Sequence, residues 1–131
     1  MDTYAETINR AKYSARELLP AMPIVNTYEA WETYIEALED FDTFDAAHTE
    51  AESWDTVIYY GKAIDLCTSC PSSVLHEAES QWDDCNNDKP EGLYELACHI
   101  AYWIVYNEIS EAIETLRDEL IELSQNQMEN L

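Results

Sequence analysis

Apolar residues recur every three or four positions along most of the chain, the repeat of an amphipathic helix. Over residues 3–19 the pattern is carried by Tyr4, Ile8, Ala11, Ala15, Leu18 and Leu19. Pro20 and Pro23 end it, because proline lacks the backbone N–H and crowds the preceding turn. Asn26 followed by Glu29 reads as a capping box that opens a second helix, running to about residue 40 with Tyr28, Trp31, Tyr34, Ile35 and Leu38 on one stripe. Residues 42–51 read as a short helix or turn. Residues 54–67 read as a helix, with Val57, Ile58, Ile64 and Leu66 for the core and Gly61 at a close contact. Pro71, Ser72 and Ser73 start a further helix to about residue 84. The stretch CNNDKPEG (residues 85–92) is the clearest loop, and in it Asp88 and Glu91 form a second capping box, with Pro90 in a first-turn position that tolerates it.

From residue 90 to about residue 127 nothing interrupts the helical pattern, which implies one helix of about 50 Å. Its first half, with the run LACHIAYWIVY, is apolar almost all round and belongs at the centre of the fold. In its second half Ile109, Ile113, Leu116, Leu120 and Leu123 alternate spacings of four and three, a heptad seam. That seam serves either a contact within the chain, such as with the first helix, or a homodimer. Sustained period-2 alternation is missing throughout. The expected fold is all-α: one domain over residues 1–131, a bundle of five to six helices around the long C-terminal one. A chain of 131 residues is near the commonest domain size and long enough for a substantial core.

Charge changes the picture. There are 28 Asp and Glu against 6 Lys and Arg, a formal charge of −22, where solubility of a small domain needs only about 2–8. With 47% hydrophobic residues, four Trp and nine Tyr, the chain is too apolar to be a disordered acidic tail. The acids themselves follow helical spacing. Glu29, Glu32, Glu36, Glu39 and Asp40 form one stripe, continued along the chain by Asp42, Asp45, Glu50, Glu52 and Asp55. Glu111, Glu114, Asp118 and Glu122 form another on the long helix, broken only by Arg117. Members of such a stripe are about 5–6 Å apart, against one phosphate per ~3.4 Å of axis on each strand of a DNA duplex. Arg10, Lys12 and Arg16 are grouped near the N-terminus, and no base follows until Lys62.

A field of one sign steers a basic partner and opposes direct binding of nucleic acid or anionic membranes. Salt-adapted solvation would also produce an acidic surface, but it does not require the aromatic core. No apolar run reaches the ~18 residues of a membrane span, and the N-terminus lacks the basic start and apolar stretch of a signal peptide. A cytoplasmic protein with reduced cysteines is expected.

The remaining candidates for chemistry are weak. Cys67 and Cys70 form a C-x-x-C that Cys85, Cys98, His76 and His99 would extend to a zinc site, yet no second paired motif exists and adjacent Cys98 and His99 point different ways on a helix. No strand precedes the motif, as a thioredoxin-type redox site requires. Asp84, Asn86, Asp88, Pro90, Gly92 and Glu95 fall at liganding positions of a calcium loop, but Lys89 stands where that loop needs glycine. His48 has no nucleophile near it in sequence, Ser110 and Ser124 have no evident base, and phosphate-cradling glycine loops are missing. Neither an enzyme nor a bound metal or cofactor is expected.

In charge, size and helical architecture the chain resembles the acidic DNA-mimic inhibitors of phages and plasmids, of the anti-restriction, anti-CRISPR and nuclease- or repair-blocking kinds. The resemblance implies occupation of the DNA-binding cleft of a basic protein in the host cytoplasm, often by a dimer. The acids of residues 29–55 and of the second stripe would then act as phosphate surrogates. An acidic helical adaptor, or the acidic half of an antitoxin or chaperone pair, is the alternative.

Overall fold

The computed structural model describes residues 3–85 and 92–131. Over these the chain forms helices α1 (Thr3–Leu18), α2 (Tyr28–Glu39), α3 (Thr43–Glu52), α4 (Asp55–Ile58), α5 (Tyr60–Ser69), α6 (Ser72–Cys85) and α7 (Leu93–Glu129), with no strand among the described residues. The fold is all-α, and the 37 residues of α7 span about 55 Å. Each of the other six helices packs against α7.

Particular contacts give the directions. Tyr4 of α1 meets Glu108, and Arg16 lines the same groove as Glu119, so α1 runs parallel to α7. Tyr28 adjoins Met128, Thr43 bonds to Arg117 and His48 to Tyr102, so α2 and α3 together run antiparallel to it. The N-terminal half of α7 also receives α5 and α6. There Gln81 and Asn107 exchange a reciprocal pair of amide hydrogen bonds, 3.0 and 2.6 Å.

The buried side chains form a single cluster whose axis is Ala97, Ile100, Ala101, Ile104, Val105, Ile109 and Ile113 of α7. Small residues let helices approach: Ala11 and Ala15 of α1, Ala47 and Ala51 of α3, Ala63 of α5 and Ala78 of α6 are all buried. Around them sit Trp31, Tyr34, Leu38, Trp54 and Leu66.

The heptad seam resolves in favour of the chain's own core at its start. Ile109 and Ile113 are fully buried, and Leu116 and Leu120 pack partly against the cluster, so the first two residues are not open to a second copy. Leu123 is 39% exposed, and the next buried position is Ser124, whose hydroxyl donates to the Leu120 carbonyl at 2.7 Å. A straight helix of 3.6 residues per turn drifts off a 3.5-residue seam, which is why the buried line moves from position 123 to 124.

Three local expectations need correction. The N-cap of α2 is Thr27, whose hydroxyl accepts from the Ala30 N–H at 3.2 Å; Asn26 instead accepts from the Trp31 indole N–H at 2.8 Å. The helix expected over 54–67 is broken at Tyr59, which takes an extended conformation (φ −98°, ψ 120°). The β-branched and aromatic run Thr56, Val57, Ile58, Tyr59 and Tyr60 has low helix propensity, and Ile58 is consequently 52% exposed instead of lying in the core. Gly61 is no close contact either, since a Cβ there would meet nothing within 4 Å. The capping box at Asp88 and Glu91, and most of the calcium-loop pattern, lie outside the described residues.

Candidate functional site: an acidic face on two antiparallel helices

Alternation of Trp31, Tyr34 and Leu38 with charged residues turns α2 so that Glu29, Glu32, Glu36, Glu39 and Asp40 are all exposed. On α7 the same logic exposes Glu111, Glu114, Asp118 and Glu122. Where the start of α2 meets the end of α7, Tyr28, Gln125, Met128 and Glu129 line a shared groove. Tyr28 heads the row Tyr28, Glu32, Glu36 at four-residue spacing, and Gln125 and Glu129 end the row Asp118, Glu122, Gln125, Glu129. The two exposed carboxylate rows thus lie on neighbouring antiparallel helices.

Bases are kept off this face. Arg117, the one Lys or Arg on α7, is partly buried and donates to the Thr43 hydroxyl at 3.2 Å. Lys12 and Arg16 line a groove of about 680 Å³ between α1 and α7, together with Ile8, Glu108, Glu111 and Glu119. Glu111 thus belongs to a flank of mixed charge, and the one-signed face on α7 is carried by Glu114, Asp118 and Glu122.

The acids after Asp40 have more varied employment. The Asp42 carboxylate caps α3 by accepting from the Asp45 N–H at 3.1 Å, and Asp45 itself is exposed in the first turn. Asp55 pairs with Lys62 at 3.1 Å on the surface. Glu50 turns inward: its Oε1 accepts from the Ser14 hydroxyl (3.2 Å) and from the indole N–H of Trp54 (3.1 Å), whose ring is stacked by Arg10 at 4.2 Å. Glu50 is thereby an internal acceptor, and is withdrawn from the contact set expected from sequence.

Folding also gives His48 a neighbour that sequence proximity did not show. Its Nδ1 is hydrogen-bonded to the Tyr102 hydroxyl, and its Nε2 lies 2.8 Å from the Glu52 carboxylate. In the neutral imidazole the carboxylate, an acceptor only, places the proton on Nε2 and leaves Nδ1 to accept from the phenol. Around this chain of three groups lie Phe44, parallel to His48 (3° between planes, centroids 5.9 Å apart), Tyr106, edge-on to Phe44 and stacked with Tyr102, and Trp103, edge-on to Tyr102 and Tyr106.

Cysteine and carboxyl environments complete the inventory. Cys67 donates to the Ala97 carbonyl (3.6 Å) and Cys70 to the Cys67 carbonyl (3.4 Å). Burial is the main cause that pushes the Cys67 thiol up to about 12, and it also raises Cys70 and Cys98, so these sulfurs rest as thiols and not as nucleophilic thiolates. His76 and His99 lie 3.9 and 3.8 Å from Glu79 and Glu95 on their own helices. No group of three or more metal-ligating side chains occurs among the described residues. No helix among them is long and apolar enough to cross a membrane.

Half-buried Glu108 accepts from the Tyr4 hydroxyl at 2.7 Å. Burial raises its pKa, opposed by the Tyr4 hydrogen bond. A raised carboxyl binds its proton more tightly when folded. Its stabilising contribution is therefore complete below the ordinary carboxylate range, about 4.3, and is lost as pH rises through the raised value. Glu108→Gln keeps an acceptor for Tyr4 without the charge. Its melting temperature should exceed the parent's at pH 7, with the gap closing towards pH 4. Circular-dichroism melts across that range test this, and a variant that melts lower at pH 7 would contradict it.

No protein-family model, no curated protein and no solved structure matches the chain.

Proposed function

We propose that the protein is a DNA mimic that binds the nucleic-acid-binding cleft of a basic protein and excludes DNA from it. One observation supports this reading: exposed carboxylate rows lie on the antiparallel neighbours α2 and α7, while Lys12 and Arg16 of α1 line a different groove and Arg117 is engaged with the Thr43 hydroxyl. Binding would be competitive, with fast association steered by charge and weakened by salt. Glu29, Glu32, Glu36, Glu39, Asp40, Glu114, Asp118 and Glu122 form the central contact set, with Asp42, Asp45, Glu52 and Asp55 along its edge. No chemistry on the partner is needed for such inhibition.

The test is capture of partners from bacterial lysate at low salt on the immobilised protein, followed by elution with excess duplex DNA. Release of a nuclease, repressor or repair protein by DNA is the expected result. The quadruple variant Glu32→Gln, Glu36→Gln, Asp118→Asn, Glu122→Gln should capture none of it while keeping the parent's helical spectrum. A specific partner that DNA does not displace would replace mimicry with the acidic adaptor or antitoxin reading. Capture undiminished in the quadruple variant would reject the contact set.

A further inference from the structure

We propose that the aromatic strip between α3 and α7 is the docking place for an arginine side chain of the basic partner; this rests on the reading of the acidic face above. Phe44, His48 and Glu52 follow one another at four-residue spacing along α3, so two rings and a carboxylate stand one helical turn apart on one side. Tyr102 and Tyr106, also one turn apart, face them from α7. Phe44 is 62% exposed although it has a core within reach. Its ring rests edge-to-face on Tyr106, 5.9 Å between centroids, and stays presented to solvent.

The parts around it are fixed. The Tyr102 hydroxyl and the Glu52 carboxylate hold the His48 ring from its two nitrogens, and that ring lies parallel to Phe44. An exposed aromatic ring on a fixed support, with a carboxylate on the same side of the helix, suits one common protein group above others. A guanidinium is planar, stacks on an aromatic face and offers paired N–H donors to a carboxylate, whereas an ammonium offers only a compact, strongly hydrated charge. Charge complementarity points the same way. Residues 28–52, which make up α2, α3 and the turn between them, contain no Lys or Arg, and the neighbouring Arg117 is engaged with the Thr43 hydroxyl. α3 follows α2 along the same long helix α7, so one partner surface that meets the carboxylate rows can extend to an arginine docked there. Aromatic–arginine contacts concentrate binding energy in otherwise diffuse electrostatic interfaces.

The experiment compares deca-arginine with deca-lysine by titration calorimetry at physiological salt, on the full chain and on two variants. Phe44→Leu keeps the apolar volume without the π face, and the quadruple charge variant above probes the rows. The parent should bind deca-arginine more tightly than deca-lysine by about fivefold, the worth of an exposed cation–π contact. Phe44→Leu should lose that preference while its affinity for deca-lysine stays unchanged, and the charge variant should weaken both peptides. If Phe44→Leu keeps the parent's arginine preference, the anchor is wrong although the carboxylate reading stands. If the charge variant binds both peptides as the parent does, the acidic-face reading itself fails. An unchanged far-UV spectrum for each variant separates these results from unfolding.

Discussion

Trp54→Ala is expected to destabilise the fold by about 3–5 kcal/mol, the range for removing a large buried aromatic side chain. Trp54 is 1% exposed and sits at the start of α4, where α1, α3 and α4 converge. Its loss does more than open a cavity. The indole N–H is one of two donors to the Glu50 carboxylate, and its ring carries the Arg10 guanidinium. Without it a partly buried carboxylate keeps only the Ser14 hydroxyl, and Arg10 loses its stacking surface. Stability of small domains is about 5–15 kcal/mol, so the variant should be largely unfolded at temperatures the parent tolerates. Trp54→Phe separates the contributions: it preserves a ring for Arg10 but not the N–H, and should cost distinctly less. Urea unfolding followed by circular dichroism measures both. A Trp54→Ala variant within 1 kcal/mol of the parent would show that the site relaxes around the loss and that this account of the junction is wrong.

Periodicity carried most of the fold. The repeat through Ala11, Ala15, Trp31, Tyr34, Leu38, Ile109 and Ile113 identifies residues that are indeed buried, and the apolar run before Ile109 marks the helix on which all others pack. Periodicity failed where two local preferences compete. At Tyr59 a helical apolar pattern runs through residues that resist helix, and the chain breaks there. At Tyr28 the stripe extends one turn beyond the core, and the side chain is 57% exposed.

The acidic rows were legible because spacing alone decides which way a surface carboxylate faces. The employment of single acids was not. The His48 partner of Glu52 lies one helical turn away and is readable from spacing, whereas the inward turn of Glu50 depends on Ser14, 36 residues earlier, which leaves no local signal. The link of His48 to Tyr102 spans 54 residues and has no local signal at all. An aromatic at every fourth position, in Phe44 and His48 and again in Tyr102 and Tyr106, is the one trace it leaves, and taken alone such a trace reads as ordinary core.

Added salt should stabilise this protein, the opposite of what a fold held by surface ion pairs would show. Among the described residues the only Lys or Arg ion pair within 4.0 Å is the exposed Asp55–Lys62 contact, and such pairs contribute ~0–1 kcal/mol. Against it stand like-charge neighbours at i,i+3 and i,i+4: Glu29–Glu32, Glu32–Glu36, Glu36–Glu39 and Glu36–Asp40 in α2, and Glu111–Glu114, Glu114–Asp118 and Asp118–Glu122 in α7. Each destabilises by roughly 0.2–0.5 kcal/mol at low salt, together on the order of 2–3 kcal/mol, before repulsion between the two rows is counted. Raising ionic strength from 0.01 to 1 M shortens the Debye length from about 30 to about 3 Å, which screens both. The urea midpoint at pH 7 should therefore climb with sodium chloride, and most of the climb should be complete by a few hundred millimolar. The quadruple charge variant should start higher and climb less, because part of the repulsion is already gone. The same salt that stabilises the free protein should weaken its hold on a basic partner, so folding and binding would respond to ionic strength with opposite sign. A midpoint that falls with salt, or a variant no more stable than the parent at low salt, would mean that the carboxylate rows do not repel across the surface as their placement requires.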